Sequence, residues 1–263
     1  MIGVIDFVCY TPMTGNPWPF LRIAHRGAAG LEPENTLRAI EAALRLGVEM
    51  VEIDVRPCGD GVLLVVHDDD LSRVAGVQQR VSGSTREQLR TVDVGKGERI
   101  PTLDDVLDLL RGRALVNIDQ KVDDLAPQLL AVIDRVSRRD EIMLSGNARR
   151  TFAQMRELAP EVRIARSMGA RWRGVPRRML ARWTAAGARG EAARIITRAR
   201  AAQADSLTLD WRLASPRVTA YCKRAGFPVL VWTVDDLFTM RALRAAGVDG
   251  ITSNRPDLLM RIT

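Results

Sequence analysis

Two histidines occur in the 263-residue chain, His25 and His67, and each closes a short apolar run, LRIAHR (21–26) and VLLVVHD (62–68). One histidine alone more often serves structure than chemistry. Two beside a group of carboxylates suit a general acid and a general base on opposite sides of a scissile bond. The carboxylates come from two further runs. In MVEIDV (50–55), Glu52 and Asp54 alternate with Val51, Ile53 and Val55; in LVNIDQK (115–121), Asn117, Asp119 and Lys121 alternate with Val116 and Ile118. Alternate residues of a strand share a face, so each run has one apolar and one polar face. Glu52, Asp54 and Asp119 on adjacent strands would repel one another unless a cation neutralised them. An ion pair with a rim arginine explains any one of them; all three in matching alternation point to a metal. Oxygen-only ligation suits Mg²⁺ or Ca²⁺ better than Zn²⁺.

The elements that must position these groups alternate regularly. Strand-like runs fall at 21–26, 50–55, 114–119, 141–145, 162–166, 205–209, 228–233 and 249–253. Segments of helical spacing lie between them at 35–46, 102–111, 124–137, 148–158, 176–200, 215–225 and 236–246, and 256–261 closes the chain. Gly47, Gly112, Gly226 and Gly247 stand where helices should end. Eight strands, each followed by a helix, predict an α/β fold of the closed (β/α)8 TIM-barrel type. One interruption follows the second strand, where Gly59-Asp60-Gly61 reads as a hairpin turn. Residues 57–101, with one short helix at 84–91, are expected to form an enlarged loop at the barrel end that carries active sites. A single domain over 21–263 is expected, preceded by an extension, 1–20, of unknown role that could also precede a true start at Met13.

Composition excludes several classes. With 46% hydrophobic and 27% charged residues the chain is not disordered. No run is apolar enough to span a membrane. The first residues, MIGVIDFVCY, lack the basic start of a secretory signal. Three well-separated cysteines, Cys9, Cys58 and Cys222, suit a reducing compartment, and a cytoplasmic location is expected. The net charge of +7 is local, because residues 138–200 alone carry +11. Only Lys96, Lys121 and Lys223 are lysines among 39 basic residues, so the excess is an arginine preference. No recognition motif accompanies it, and no nucleic-acid partner is expected.

IAHRG (23–27), PENT (33–36), EIDV (52–55), VVHD (65–68), IPTLDDVL (100–107), D-x-K at 119–121, VWTV (231–234) and GVDGITSNRP (247–256) together resemble the glycerophosphodiester phosphodiesterase family. Order and spacing are kept over roughly residues 21–258. The resemblance implies a barrel with a small insertion after its second strand. It implies one divalent cation, Mg²⁺ or Ca²⁺, held by Glu52, Asp54 and Asp119, with His25 and His67 as the acid–base pair. Arg26 would hold a phosphoryl oxygen through its planar fork, and Lys121 would add charge beside it. Glu34 would support the substrate pocket or contact the metal region, or serve as an acid favoured at a helix N-terminus. Trp232 would wall the alcohol part of the substrate, or belong to the barrel core. Two departures stand out: most members carry Glu where this chain has Asp119, and many have Ser-Phe where it reads Ser145-Gly146-Asn147.

The expected activity is metal-dependent hydrolysis of a small-molecule glycerophosphodiester to an alcohol and glycerol 3-phosphate, either by direct attack of water or by attack of the substrate's own hydroxyl to give a cyclic phosphate that water then opens. Two alternatives remain open. One is cleavage of lysophospholipids in the manner of a phospholipase D, with weak membrane-surface contact through 169–187, where arginines interleave with Trp172, Met179, Leu180 and Trp183. The same spacing also suits an ordinary amphipathic helix of the outer ring, which is the simpler reading of that segment. The other alternative is a non-catalytic barrel that binds phosphodiesters.

Overall fold

The computed structural model describes residues 20–136, 139–170 and 177–262, with Val136 and 177–186 as backbone alone. Eight parallel strands close on themselves: β1 (Leu21–His25), β2 (Met50–Pro57), β4 (Leu115–Gln120), β5 (Ile142–Gly146), β6 (Arg163–Met168), β7 (Ser206–Asp210), β8 (Val229–Trp232) and β9 (Gly250–Ser253). Pairing of β1 with both β2 and β9 completes the ring. The chain is therefore the expected (β/α)8 barrel. Its helices are α1 (Leu37–Leu46), α4 (Leu103–Leu110), α5 (Ala126–Val136), α6 (Arg149–Leu158), α7 (Arg177–Ala201), α8 (Pro216–Arg224), α9 (Leu237–Ala245) and α10 (Pro256–Leu259). Several begin on a side-chain cap that accepts a free helix N–H, as Thr36, Thr102, Ser215 and Asp236 do.

The alternation read from the sequence has a direct structural meaning. Outward residues Val51, Ile53, Val55, Val116 and Ile118 pack under the helices with Ile40, Leu103 and Leu107. The inward set changes character along the barrel axis. At the strand starts Leu21, Ile23, Met50, Leu115, Met143, Ala165 and Leu230 fill the interior as an apolar layer. One inward step later β2, β4 and β5 present Glu52, Asn117 and Ser145, and β7 and β9 add Thr208 and Thr252, all buried. The apolar layer is a floor, and the polar layers above it form the mouth.

The insertion after β2 is also present. Strand β3 (Leu63–Val65) pairs antiparallel with β2, with Val55 opposite Val65. Two short helices follow, α2 (Ser72–Ala75), which the spacing did not suggest, and α3 (Arg86–Leu89), shorter than the predicted 84–91. The insertion has a small core of its own: Cys58, Leu64, Val66, Leu71, Val81, Leu89 and Ile100.

The predicted extension 1–20 lies outside the described residues except for Phe20, which packs against the barrel core beneath the Arg244 guanidinium. Most of the 169–187 segment proposed for membrane contact falls outside them as well, or is described as backbone alone. No helix among the described residues is long and apolar enough to cross a membrane.

Candidate active site

Register brings the chemistry together. His25 is level with Glu52 across β1–β2, and Glu52 and Asp54 are level with Asn117 and Asp119 across β2–β4. One oxygen each from Glu52, Asp54 and Asp119 can be chosen so that all three lie within 4.8 Å of one another. Two cations face them. Lys121 Nζ lies 2.6 Å from both Asp54 Oδ1 and Asp119 Oδ2, and Arg26 Nε lies 2.9 Å from Asp54 Oδ2. The Arg26 backbone N–H donates to Glu52 Oε2 at 3.0 Å.

Three clustered acids against two cations leave an excess of negative charge, and its effect falls on Glu52. Burial, reinforced by Asp54 and Asp119, pushes the Glu52 carboxyl well above the ordinary carboxylate range, against the pull of Lys121 and the Arg26 N–H. Burial would raise Asp54 too, but Lys121 and Arg26 outweigh it and hold Asp54 low. An all-oxygen donor set with surplus negative charge fits a hard divalent cation. The three carboxylates can hold one.

Each histidine is held by Nδ1. His25 Nδ1 lies 2.6 Å from Asn254 Oδ1, and Asn254 Nδ2 donates to Asp235 Oδ2 at 2.7 Å. Asp235 thereby fixes the amide with its oxygen toward His25, so His25 Nδ1 is the donor. Its Nε2 is left 3.8 Å from Glu52 Oε2. Burial, then the charge of Arg26, lowers the His25 pKa and favours the neutral ring. His67 Nδ1 lies 2.7 Å from Asp68 Oδ1, again an acceptor, and the Arg56 guanidinium donates to the His67 carbonyl at 2.7 Å.

Both histidines, Arg26, Glu52, Asp119, Lys121 and Trp232 line one cavity of about 670 Å³. Asp54 sits beside it, fully buried among Arg26, Lys121 and Asn35. Trp232 is tied in place by its indole N–H, which donates to the Thr208 carbonyl at 3.2 Å. Glu34 supports the site from behind Arg26 rather than from the cavity wall. It is not among the cavity-lining residues but turns to Arg26 Nη1 at 2.8 Å and to Arg73. Its carboxylate finds a better partner in two guanidiniums than in an open cavity. The departure at 145–147 also has a physical reason. Gly146 has φ +119°, and a Cβ there would come within 2.9 Å of Asp119 Oδ1, so the wall carries no side chain at that point.

Sequence reasoning missed the residues that hold others. Asn35, at φ +58°, clamps Asp54 from both sides: its amide donates to Oδ2 at 2.8 Å and its oxygen accepts the Asp54 N–H at 3.2 Å. Arg26 also has a positive φ, +53°, and such non-glycine outliers gather at functional sites. Asn254 and Asp68 complete this set. A polar residue inside PENT or SNRP was the available signal, but its partner could not be named.

A family model described as the glycerophosphoryl diester phosphodiesterase family matches residues 25–258. A glycerophosphodiester phosphodiesterase of Caldanaerobacter subterraneus subsp. tengcongensis is 28% identical over 92% of this chain and 97% of its own. The solved glycerophosphodiester phosphodiesterase of Agrobacterium tumefaciens is 25% identical, with TM-score 0.75 over 92% of this chain and 100% of its own. An Oleispira antarctica phosphodiesterase, solved with its product sn-glycerol-3-phosphate, shares the fold at TM-score 0.77 and 22% identity, over 92% of this chain and 96% of its own.

Proposed function

This chain belongs to the glycerophosphoryl diester phosphodiesterase family and is a phosphoric diester hydrolase, and from that premise we propose that it cleaves glycerophosphodiesters to an alcohol and glycerol 3-phosphate by histidine acid–base catalysis. Convergence of both histidines and the carboxylate cluster on one cavity is the observation that supports the reading most. One domain, 21–263 with an insertion at about 57–101, carries the whole site.

In this reading Arg26 and Lys121 present their donors to the phosphoryl oxygens, the guanidinium by its planar fork and the ammonium as a point charge. Glu52, Asp54 and Asp119 would hold Mg²⁺ or Ca²⁺, which would supply Lewis acidity to the site. His25 and His67 each keep a proton on Nδ1, so in a neutral ring the lone pair is on Nε2. One imidazole takes the proton of the attacking hydroxyl there, and the other, charged, gives its Nε2 proton to the departing alcohol. Trp232 walls the alcohol side. The Oleispira complex holds glycerol 3-phosphate in a like fold, which supports the same product here.

The test is turnover of glycerophosphocholine and glycerophosphoethanolamine, with lysophosphatidylcholine alongside, in metal and in EDTA. Release of glycerol 3-phosphate that stops on chelation and returns with Mg²⁺ or Ca²⁺ is expected. Full activity in protein shown metal-free by elemental analysis would contradict the metal assignment. Cleavage of lysophosphatidylcholine alone would move the activity to lysophospholipids.

A further inference from the structure

The reaction as proposed needs Arg26 and His67 at a fixed separation, yet they stand on different parts of the fold. Arg26 follows β1, whereas His67 follows β3 in the insertion. One side chain joins them. Arg73 of α2 donates through Nε to Asp68 Oδ2 at 2.6 Å, and through Nη1 and Nη2 to the two oxygens of Glu34 at 2.8 and 2.6 Å. Asp68 is the acceptor for His67 Nδ1, and Glu34 Oε1 also accepts from Arg26 Nη1. An unbroken chain of charged hydrogen bonds thus runs His67–Asp68–Arg73–Glu34–Arg26.

We propose that Arg73 is a positioning residue, which sets the catalytic His67 against the phosphate-binding Arg26 by bridging Asp68 and Glu34. The assignment rests on the function proposed above. Helix α2 has four residues and buries none of them fully; Val74 and Ala75 pack partly against the insertion's core, which anchors the helix without fixing it against the barrel. The ion pairs of Arg73 make that link. The bidentate grip on Glu34 together with the third bond to Asp68 uses three donors in one plane, which guanidinium offers and ammonium does not. Arg73 is half exposed and lines no part of the cavity, so it acts through its two neighbours rather than on substrate.

The experiment compares Arg73→Ala, Arg73→Lys, Asp68→Asn and the Arg73→Ala/Asp68→Asn double variant. Glycerophosphocholine kinetics are read beside the NMR signal of the His67 Nδ1 proton. Loss of alignment predicts that Arg73→Ala lowers kcat about 10- to 100-fold while KM stays within about threefold. Arg73→Lys should stay close to Arg73→Ala, because charge without the fork cannot bridge. The double variant should lose little more than the worse single one, since both break the same chain. The Nδ1 proton signal should broaden in Arg73→Ala and move upfield in Asp68→Asn, where a neutral amide oxygen replaces the carboxylate as acceptor. Wild-type kcat in Arg73→Ala, full rescue by Arg73→Lys, or losses that multiply in the double variant would overturn the proposal. The ring-proton signal needs no turnover. A protein inactive on every diester therefore overturns the proposed function, while broadening in Arg73→Ala still upholds the positioning role, and an unchanged signal overturns that too.

Discussion

The two histidines reach the same cavity from regions built on different principles. His25 ends a barrel strand with its side chain 17% exposed, and its partner Asn254 comes from the loop after β9, 229 residues away. His67 stands on the insertion with its side chain 35% exposed, its partner is the next residue, and that partner is gripped by an exposed arginine. The first is held by strand register, burial and a neutral amide, which salt alters little. The second is held by ion pairs, which salt weakens. One scaffold-borne and one insertion-borne group allow the insertion to change without rebuilding the barrel.

The comparison breaks at its root if either histidine is dispensable. His25→Ala and His67→Ala should each lower kcat by about 10²–10⁴-fold, the range for losing a positioned acid or base. Both variants should keep the wild-type circular dichroism spectrum. Near-wild-type turnover in one of them would remove that residue from the reaction.

Asp54 should separate scaffold from insertion next. It is buried between Arg26, Lys121 and Asn35, all on barrel strands or the loops that follow them. Asp54→Asn leaves two cations short of a partner and should cost roughly 3–5 kcal/mol, as breaking a buried ion pair does. It should also weaken metal binding in titration calorimetry. Asp119→Glu should still bind metal, with a changed Mg²⁺ to Ca²⁺ preference, because Mg²⁺ tolerates misplacement of an oxygen less well. If Asp54→Asn bound metal as tightly as wild type, Asp54 would be an ion-pair partner alone.

The strands and their facing were legible in the sequence and the loop-borne partners were not, for a physical reason. Val51-Glu52-Ile53-Asp54 and Val116-Asn117-Ile118-Asp119 carry their facing in their alternation, because every barrel strand must bury one face under helices. Once eight strands were counted, convergence of Glu52, Asp54 and Asp119 followed. Asn254 on His25, Asn35 on Asp54 and Arg73 on Glu34 follow no period. Each depends on where a loop returns, and those returns span 229, 19 and 39 residues. Glu34 shows the limit well: its place in PENT suggested the pocket, and two guanidiniums turned it away.

The smallest expected effect is on acid stability. Burial would raise Glu34, but Arg73 and Arg26 outweigh it and hold its pKa low; Asp68 is held low against burial by His67 and Arg73. With folded values depressed, the unfolded chain binds more protons. The stabilisation is therefore present above the unfolded values, about 3.9 for Asp and 4.3 for Glu, and is lost as pH falls through the folded ones. Arg73→Ala should flatten the fall of Tm below about pH 4.5. Parallel Tm–pH curves for variant and wild type would show that Arg73 does not set those carboxylates.

The central claim, that one histidine gives a proton while the other takes one, is tested most directly by changing the leaving group. Against glycerophosphocholine both His→Ala variants should be crippled. A nitrophenyl ester of glycerol phosphate departs without needing a proton, so loss of the general acid should matter little. The account predicts that one variant, and only one, recovers to within about tenfold of wild type on that ester. Recovery of both, or of neither, would contradict it.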